Sequence, residues 1–221
     1  MKTPKDIQDW WHERWQQNQI GFHLDAPHPW LIRYWTQFSM PSLHTLFVPL
    51  CGKTHDIAFF LQEGYQVVAN ELDESAIQAL FDDLQLDAAI TDWKAGKIYN
   101  AKNLTVFVGD FFELTTQEVA QADAIYDRAA LIALPPELRL AYAKHLQKLC
   151  PVAAQFLITL DYDQAQMDGP PFSVDPDEVH EHYHATYNIQ LIKRKDIIVD
   201  EARFKERGLT SLHQAVYFLL P

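Results

Sequence analysis

The order of apolar and polar residues between positions 46 and 77 predicts a strand, a tight turn, a helix and a second strand. A short apolar run ends at a turn that contains Gly52, and the stretch after it has the spacing of a helix with one buried face. Three apolar residues mark that face: Ile57, Phe60 and Leu61. Gly64 is typical of a helix end, and the next apolar run closes on the acidic residue Glu71. The segment therefore predicts a βαβ unit with parallel strands.

The rest of the chain continues this alternation of helices and strands. The remaining predicted elements are, in chain order, the helix 75–84, the strands 104–108 and 124–126, the helix 136–149, the strand 156–160 and the helix 176–187. Two long strand-like runs, 189–199 and 212–220, follow with little helix between them. The pattern predicts an α/β fold, a Rossmann-like and mostly parallel sheet with an antiparallel C-terminal edge. Because no repeat or linker interrupts it, we expect residues 1–221 to form a single domain.

Charged residues stand at the ends of the predicted parallel strands: Glu71, Asp110, Arg128 and Asp161. Ligands of such sheets bind beyond the carboxyl ends of the strands, so we expect these side chains to converge on one cleft. Glu71, about 20 residues past the first turn, is at the position where doubly wound folds accept hydrogen bonds from ribose hydroxyls. The alternative is a plain βαβ unit with a glutamate at its surface.

The first turn distinguishes between nucleoside-containing cofactors, because Gly52 is its only glycine. The dinucleotide pattern G-x-G-x-x-G, which lets the backbone approach a pyrophosphate, is absent, and so is G-x-x-x-x-G-K-[ST]. S-adenosylmethionine has a ribose and no phosphate, so it needs the acid and tolerates this turn. We therefore expect S-adenosylmethionine as the cofactor. A nicotinamide-dependent oxidoreductase is the rival class, and the single glycine counts against it.

Composition narrows the class of protein and its partners. The 221 residues carry a net charge of -12, which argues against binding a phosphate backbone and suits a small neutral or cationic substrate. No apolar run reaches the ~18 residues of a membrane span, and the first residues do not resemble a signal-peptide core. Two cysteines are too few for a disulfide framework. We therefore expect a cytoplasmic protein without nucleic-acid or membrane partners. We also expect a monomer.

Aromatic residues are concentrated at the N-terminus: Trp10, Trp11, Trp15, Phe22, His23, Trp30, Tyr34 and Trp35. Trp11 and Trp15 are four residues apart and share one face of a predicted helix. One interpretation is that these residues pack the helix onto the core. The other is a lid over the cleft, where aromatic faces attract a sulfonium cation by ~0.5–2 kcal/mol per contact and exclude water.

Motifs in order along nearly the whole chain resemble the thiopurine S-methyltransferase family, in particular its bacterial members. They are W-x-x-x-W at 11–15, GFH at 21–23, VPLCGKTHD at 48–56, GDFFEL at 109–114, YDRAALIALPP at 126–136 and LDY…GPPF at 160–172. The resemblance implies a class I methyltransferase with an N-terminal aromatic lid, residues 1–43, and a Rossmann-like core, residues 44–221. It also implies S-adenosylmethionine as methyl donor and a small-molecule acceptor, a thiopurine or related thiol or a selenium or tellurium compound.

The resemblance further implies which residues contact the cofactor. Positions matching the family's cofactor contacts are Trp15, Leu50, Glu71 and Arg128, those matching its lid are Trp11 and Phe22, and those matching its adenine site are Asp110 and Phe111. The second strand departs from the family at Asn70, where an apolar or small residue is expected. Because neighbouring strand residues point in opposite directions, we expect Asn70 to have little effect on the cofactor.

Arg128 is the candidate catalytic residue. Methyl transfer to a thiolate is an in-line displacement that depends mainly on positioning, which is capable of ~7–11 kcal/mol. A thiopurine is already substantially anionic near neutral pH, so no dedicated base is needed, and Arg128 is expected to stabilise the thiolate or orient the heterocycle. The alternative for Arg128 is a salt bridge to Asp127 or Asp110. A non-enzymatic S-adenosylmethionine-binding protein also remains open.

Three other motifs have a simpler interpretation. Cys51 is expected to be a packed turn thiol rather than a nucleophile, since no neighbouring pattern activates it. The histidines of the segment 180–184 have metal-ligand spacing but no cysteine nearby, and we expect no metal site. The segment 169–172 either walls the acceptor pocket, with a cis proline, or turns the chain; the resemblance favours the pocket.

Overall fold

The computed structural model describes residues 4–17, 19–21, 23–39, 42–119 and 121–221. They belong to two compact units, Met1–Asp123 and Ala124–Pro221. The first contains α1 (Pro4–Gln16), α2 (Pro29–Phe38), β1 (Thr45–Val48), α3 (Asp56–Gln62), β2 (Gln66–Glu71), α4 (Glu74–Leu84), β3 (Ala89–Trp93), β4 (Gly96–Ala101), β5 (Leu104–Val108) and α5 (Thr116–Val119). The second contains β6 (Ala124–Arg128), α6 (Pro136–Leu149), β7 (Ala154–Asp161), α7 (Pro176–Tyr183), β8 (Asn188–Asp196), α8 (Ala202–Glu206) and β9 (His213–Leu220).

In the first unit the strands are ordered β3-β4-β5-β2-β1. β1 pairs with β2 and β2 with β5 in parallel, whereas β4 pairs antiparallel with both β3 and β5. Every residue of β1 is buried, as expected for a parallel strand covered on both faces. The core of this unit includes Leu46, Ile57, Phe60, Val67 and Leu80. The βαβ unit predicted from the sequence is therefore present, and Gly64, with φ of 90°, follows α3.

In the second unit the order is β6-β7-β9-β8. β6 and β7 are parallel, and β9 runs antiparallel to both β7 and β8. The helix α6 begins at Pro136, directly after Pro135, because proline suits the first helical position. Its buried side includes Tyr142, Ala143 and Leu146.

The predicted α/β fold class is confirmed, including the antiparallel C-terminal edge. The elements that were not predicted include the hairpin β3–β4 and the short helices α5 and α8. The hairpin β3–β4 escaped detection because β3 is exposed in all but its last residue and lacks an apolar alternation. The short helix α8 lies where the pattern indicated little helix, and α7 and β8 end earlier than expected. No helix in the described ranges is long and apolar enough to cross a membrane.

Candidate functional site

The turn after β1 has an unusual backbone. Leu50 and Gly52 both have positive φ, 46° and 54°. Glycine adopts this conformation freely, but for a bulky residue such as leucine it is strained. The N–H of Cys51, between them, donates to the carbonyl of Asn70 at 2.8 Å, which fastens the turn to β2. Strain of this kind is typical of ligand sites, so Leu50 marks this turn as a candidate site.

Glu71 ends β2 and faces this turn. Its Oε2 accepts the N–H of Gly52 at 2.8 Å and its Oε1 accepts the N–H of Asp73 at 3.0 Å. Its side chain is buried, and burial raises the pKa of the carboxyl, while the two backbone N–H donors act in the opposite direction. A carboxylate offers about four acceptor positions, and the N–H groups of Gly52 and Asp73 occupy two of them. A carboxylate held in this way has acceptor capacity for a ribose hydroxyl, so the site is compatible with a cofactor that contains a ribose.

The end of β5 lies beside Glu71. The N–H of Gly109 donates to the backbone carbonyl of Glu71 at 2.9 Å. Gly109 has φ of 147°, a conformation that favours glycine, and a Cβ there would lie 3.1 Å from the ring of Trp93. Asp110 follows, half-buried, and its Oδ1 accepts the N–H of Phe112 at 2.9 Å. Phe111 is buried. The ends of β2 and β5 therefore lie side by side, and a cleft shared by the side chains of Glu71 and Asp110 stays a prediction.

Asn70 has a role that the sequence did not indicate. Its buried amide Nδ2 donates to the carbonyls of Phe107 at 3.0 Å and Gly109 at 3.1 Å. Its Oδ1 has no hydrogen-bond partner within the described part of the chain. Asn70 thus fixes the end of β5, next to the candidate adenine residues.

The helix α1 contacts two acidic residues of this region through side chains that were not predicted. Gln8 Nε2 donates to Asp110 Oδ2 at 2.8 Å, and His12 Nδ1 lies 2.7 Å from Asp73 Oδ2. Trp11 and Trp15 are half-buried on the same helix. The ring of Trp10 meets that of Trp11 edge to face at 4.9 Å. Phe22, the remaining lid candidate, lies outside the described residues.

The aromatic residues of α2 belong to the core. Trp35 is 2% exposed and lies 4.9 Å from Phe60 between ring centres, and its Nε1 donates to the hydroxyl of Tyr65 at 3.3 Å. Tyr34 is also buried. The packing interpretation therefore applies to these two residues, while a lid role for Trp11 and Trp15 stays a prediction.

Arg128 ends β6 and is half-buried, and Ala129 after it has φ of 62°. The preceding Asp127 is fully buried: its Oδ1 accepts the N–H of Leu131 at 3.2 Å and its Oδ2 accepts the hydroxyl of Tyr142 at 2.8 Å. Burial raises the pKa of Asp127 to about 6. The acid beside Arg128 thus anchors the loop after β6.

Asp161 belongs to a structural ion pair. Its two carboxylate oxygens accept Nε and Nη2 of Arg194 at 2.9 and 2.8 Å, in the fork geometry of a bidentate pair. The expectation that it would line a ligand cleft with the other strand-end residues rested only on its position, and its partner 33 residues away explains it better.

The structure agrees with the expectation for Cys51 and shows cis prolines in the segment 169–172, whose role stays a prediction. Cys51 is buried, and burial followed by the charge of Glu71 raises the pKa of its thiol well above the ordinary value, so it is a packed thiol. The peptide bonds Gly169-Pro170 and Pro170-Pro171 are cis, and the N–H of Phe172 donates to the carbonyl of Ile132 at 2.7 Å.

Three histidines in and directly after α7 contact one another or Glu178. The rings of His180 and His184 stack at 4.8 Å, and His182 Nε2 lies 3.1 Å from Glu178 Oε1. Among the residues that the structure describes, no cluster of three or more His, Cys, Asp or Glu side chains is arranged to hold a metal ion.

Sequence comparisons agree with the motifs. The family model described as Thiopurine S-methyltransferase (TPMT) matches residues 7–220. The thiopurine S-methyltransferase of Pseudomonas fluorescens (strain Pf0-1) is 41% identical over 209 residues, which cover 95% of this chain and 96% of that protein. The protein of the same name from Shewanella baltica (strain OS155 / ATCC BAA-1091) is 40% identical over 95% of this chain and 96% of its own length.

Solved methyltransferases share the fold. An S-adenosylmethionine-dependent methyltransferase from Anabaena variabilis matches with a TM-score of 0.60 and 15% identity, over 96% of this chain and 94% of that chain. The 1,6-didemethyltoxoflavin-N1-methyltransferase of Burkholderia thailandensis, solved with S-adenosylhomocysteine, has a TM-score of 0.64 and 14% identity, over 100% and 92%. At these identities the likeness concerns the fold alone.

Proposed function

Since the chain belongs to the thiopurine S-methyltransferase family, we propose that it transfers the methyl group of S-adenosylmethionine to the sulfur of thiopurines and related aromatic or heterocyclic thiols. The donor supplies an activated methyl group and a good leaving group. The chain's own contribution is then to bind the donor, orient the acceptor and exclude water.

One observation supports donor binding above the others. Each carboxylate oxygen of Glu71 accepts a backbone N–H, from Gly52 and from Asp73, and a carboxylate oxygen has the capacity to accept a ribose hydroxyl as well. The contact with Gly52 also holds the strained turn at Leu50 in place. A surface glutamate, the plain alternative, is excluded because Glu71 is 6% exposed.

We assign the other candidate residues from the family resemblance. Trp11, Trp15 and Phe22 are proposed to cap the sulfonium, and Leu50 to contact the donor beside the turn. Asp110 and Phe111 are proposed to hold the adenine, since they follow the end of β5 after one residue, Gly109. Arg128 is proposed to contact the donor and to stabilise the acceptor thiolate, and the loop 169–172 to wall its pocket.

The direct test is transfer of an isotopically labelled methyl group to a thiopurine. The matched control is the oxypurine of the same ring, whose oxygen is a poorer nucleophile and should receive no label. Donor binding without transfer would favour a non-enzymatic binding protein, and binding of a nicotinamide cofactor instead would favour the oxidoreductase. A panel of thiols, selenols and tellurium oxyanions with one donor tests the proposal that metalloids are also methylated.

Three further properties are proposed with this function. We expect a monomer, which light scattering at several protein concentrations would test. The two buried free cysteines, Cys51 and Cys150, suit a reducing compartment such as the cytoplasm. Finally, we propose that residues 1–221 act as one catalytic domain.

A further inference from the structure

The helix α1 presents a mixed polar and aromatic face. Gln8, Trp11, His12 and Trp15 follow the spacing i, i+3, i+4 and i+7, which places them on one side of a helix. All four are half-buried, whereas Asp9 and Glu13 are exposed. The family resemblance draws attention to the two tryptophans alone. Gln8 and His12, on the same face, contact Asp110 and Asp73 through long-range hydrogen bonds.

His12 contacts a carboxylate that is itself held in place. The side chain of Asp73 is 8% exposed, and its Oδ2 lies 2.7 Å from Nδ1 of His12. Its Oδ1 accepts the N–H of Ser75 at 2.9 Å and thereby caps α4. The side chain of His12 is 42% exposed, so the buried acid fixes the position of the more exposed partner.

Asp73 links His12 to Glu71, the residue proposed to bind the ribose. The backbone N–H of Asp73 donates to Glu71 Oε1 at 3.0 Å, and Glu71 Oε2 accepts the N–H of Gly52. Any displacement of Asp73 therefore shifts a donor on the carboxylate that is proposed to bind the ribose. Gln8, one helical turn from His12, makes the second contact at Asp110.

We propose that His12 is a positioning residue for donor binding. Through Asp73 it holds the Trp11 and Trp15 face of α1 beside the end of β2, and it stabilises the arrangement in which Glu71 accepts the ribose. This inference rests on the proposed function, because it takes S-adenosylmethionine as the ligand.

The test compares three variants of the full chain. His12→Phe keeps a planar ring and loses the hydrogen bond, and His12→Asn keeps an amide nitrogen close to the position of Nδ1. Glu13→Gln, on the exposed side of the helix, is the matched control. His12→Phe should weaken S-adenosylhomocysteine binding and raise KM for S-adenosylmethionine by about tenfold, with kcat nearly unchanged. His12→Asn should restore both values, and Glu13→Gln should not change them.

A variant on the partner side makes the test independent of how His12→Phe folds. Asp73→Ser keeps a residue that caps α4 and keeps the backbone N–H on Glu71, but it removes the acceptor for His12. Asp73→Ser should reproduce the effect of His12→Phe, and the double variant should be no weaker than either single variant.

The outcomes separate this inference from the proposed function. Wild-type KM in His12→Phe, an equal loss in His12→Asn, or additive losses in the double variant would each overturn the role of His12 while the function stands. A wild-type protein that binds no S-adenosylhomocysteine would overturn the proposed function, and the inference with it.

Discussion

The side chain of Glu71 accepts the backbone N–H of Gly52 at 2.8 Å, so the acid that ends β2 also fixes the turn that follows β1. The two residues are 19 positions apart in the chain, and the parallel pairing of β1 with β2 brings them together. Ligand recognition and turn geometry therefore depend on the same carboxylate, and experiments on Glu71 have to separate the two.

Glu71→Gln should weaken S-adenosylhomocysteine binding by about 1.5–3 kcal/mol, the range for hydrogen bonds to a charged group. Calorimetry with a 2′-deoxy analogue separates the ribose contact from turn support. The missing hydroxyl should weaken binding to the wild type but have a much smaller effect on the variant. Equal losses from the analogue in both proteins would show that Glu71 does not bind the ribose.

Leu50→Gly should separate stability from binding. Glycine relieves the left-handed strain, worth about 1–2 kcal/mol, so the thermal midpoint should stay the same or rise. Loss of the leucine side chain should weaken donor binding about tenfold if Leu50 contacts the donor. Gln85→Gly is the control, because Gln85 has φ of 54° at the end of α4 and should gain stability without a change in binding.

Hydrogen exchange tests the lid. If Trp11, Trp15 and Phe22 cap the donor, the amides of residues 10–22 should exchange more slowly when S-adenosylmethionine or its demethylated product is bound. The amides of α2, whose Trp35 is in the core, provide the internal reference. Identical exchange of residues 10–22 in both states would assign these tryptophans to packing alone.

Arg128→Lys should lower kcat/KM for thiopurines by about tenfold or more, because lysine keeps the charge and loses the planar fork. The thermal midpoint should stay nearly unchanged, and the exposed Arg33→Lys should behave as the wild type. If Arg128→Lys instead lowers the folded fraction, and the activity per folded molecule equals that of the wild type, Arg128 is a structural ion-pair partner.

Asp127 should make stability depend on pH. Its pKa of about 6 in the folded protein exceeds its ordinary value of 3.8, so the folded state binds this proton more tightly than the unfolded state. The associated stability is present below about pH 4 and is lost as the pH rises through about 6. Between these limits the free energy of unfolding of the wild type, relative to Asp127→Asn, should fall by up to about 3 kcal/mol. A difference between the two proteins that does not change with pH would refute this assignment.

Periodicity and turn residues predicted the strands and helices with the clearest apolar spacing, and the position of Glu71 followed from them. The contacts of Gln8 and His12 could not be predicted, because a polar residue on a half-buried helix face has no distinctive local signal. Asp161 shows the opposite difficulty. In the sequence, Asp161 and Asp110 both stand at the end of a strand. What distinguishes Asp161 is its ion pair with Arg194: Asp161 is on β7 and Arg194 on β8, and β9 lies between these two strands.

The amide of Asn70 also favours the observed alignment of β2 with β5 over a shifted one. In the observed register Glu71 lies opposite Val108, and Asn70 bonds two carbonyls of the neighbouring chain segment. A slip of one residue would turn the opposite set of side chains towards each face of the sheet. The amide would then sit where the ribose is expected and the carboxylate would face two carbonyl oxygens, a repulsive arrangement. Asn70, whose amide donates hydrogen bonds, and Glu71, whose carboxylate only accepts them, thus disfavour the misaligned register.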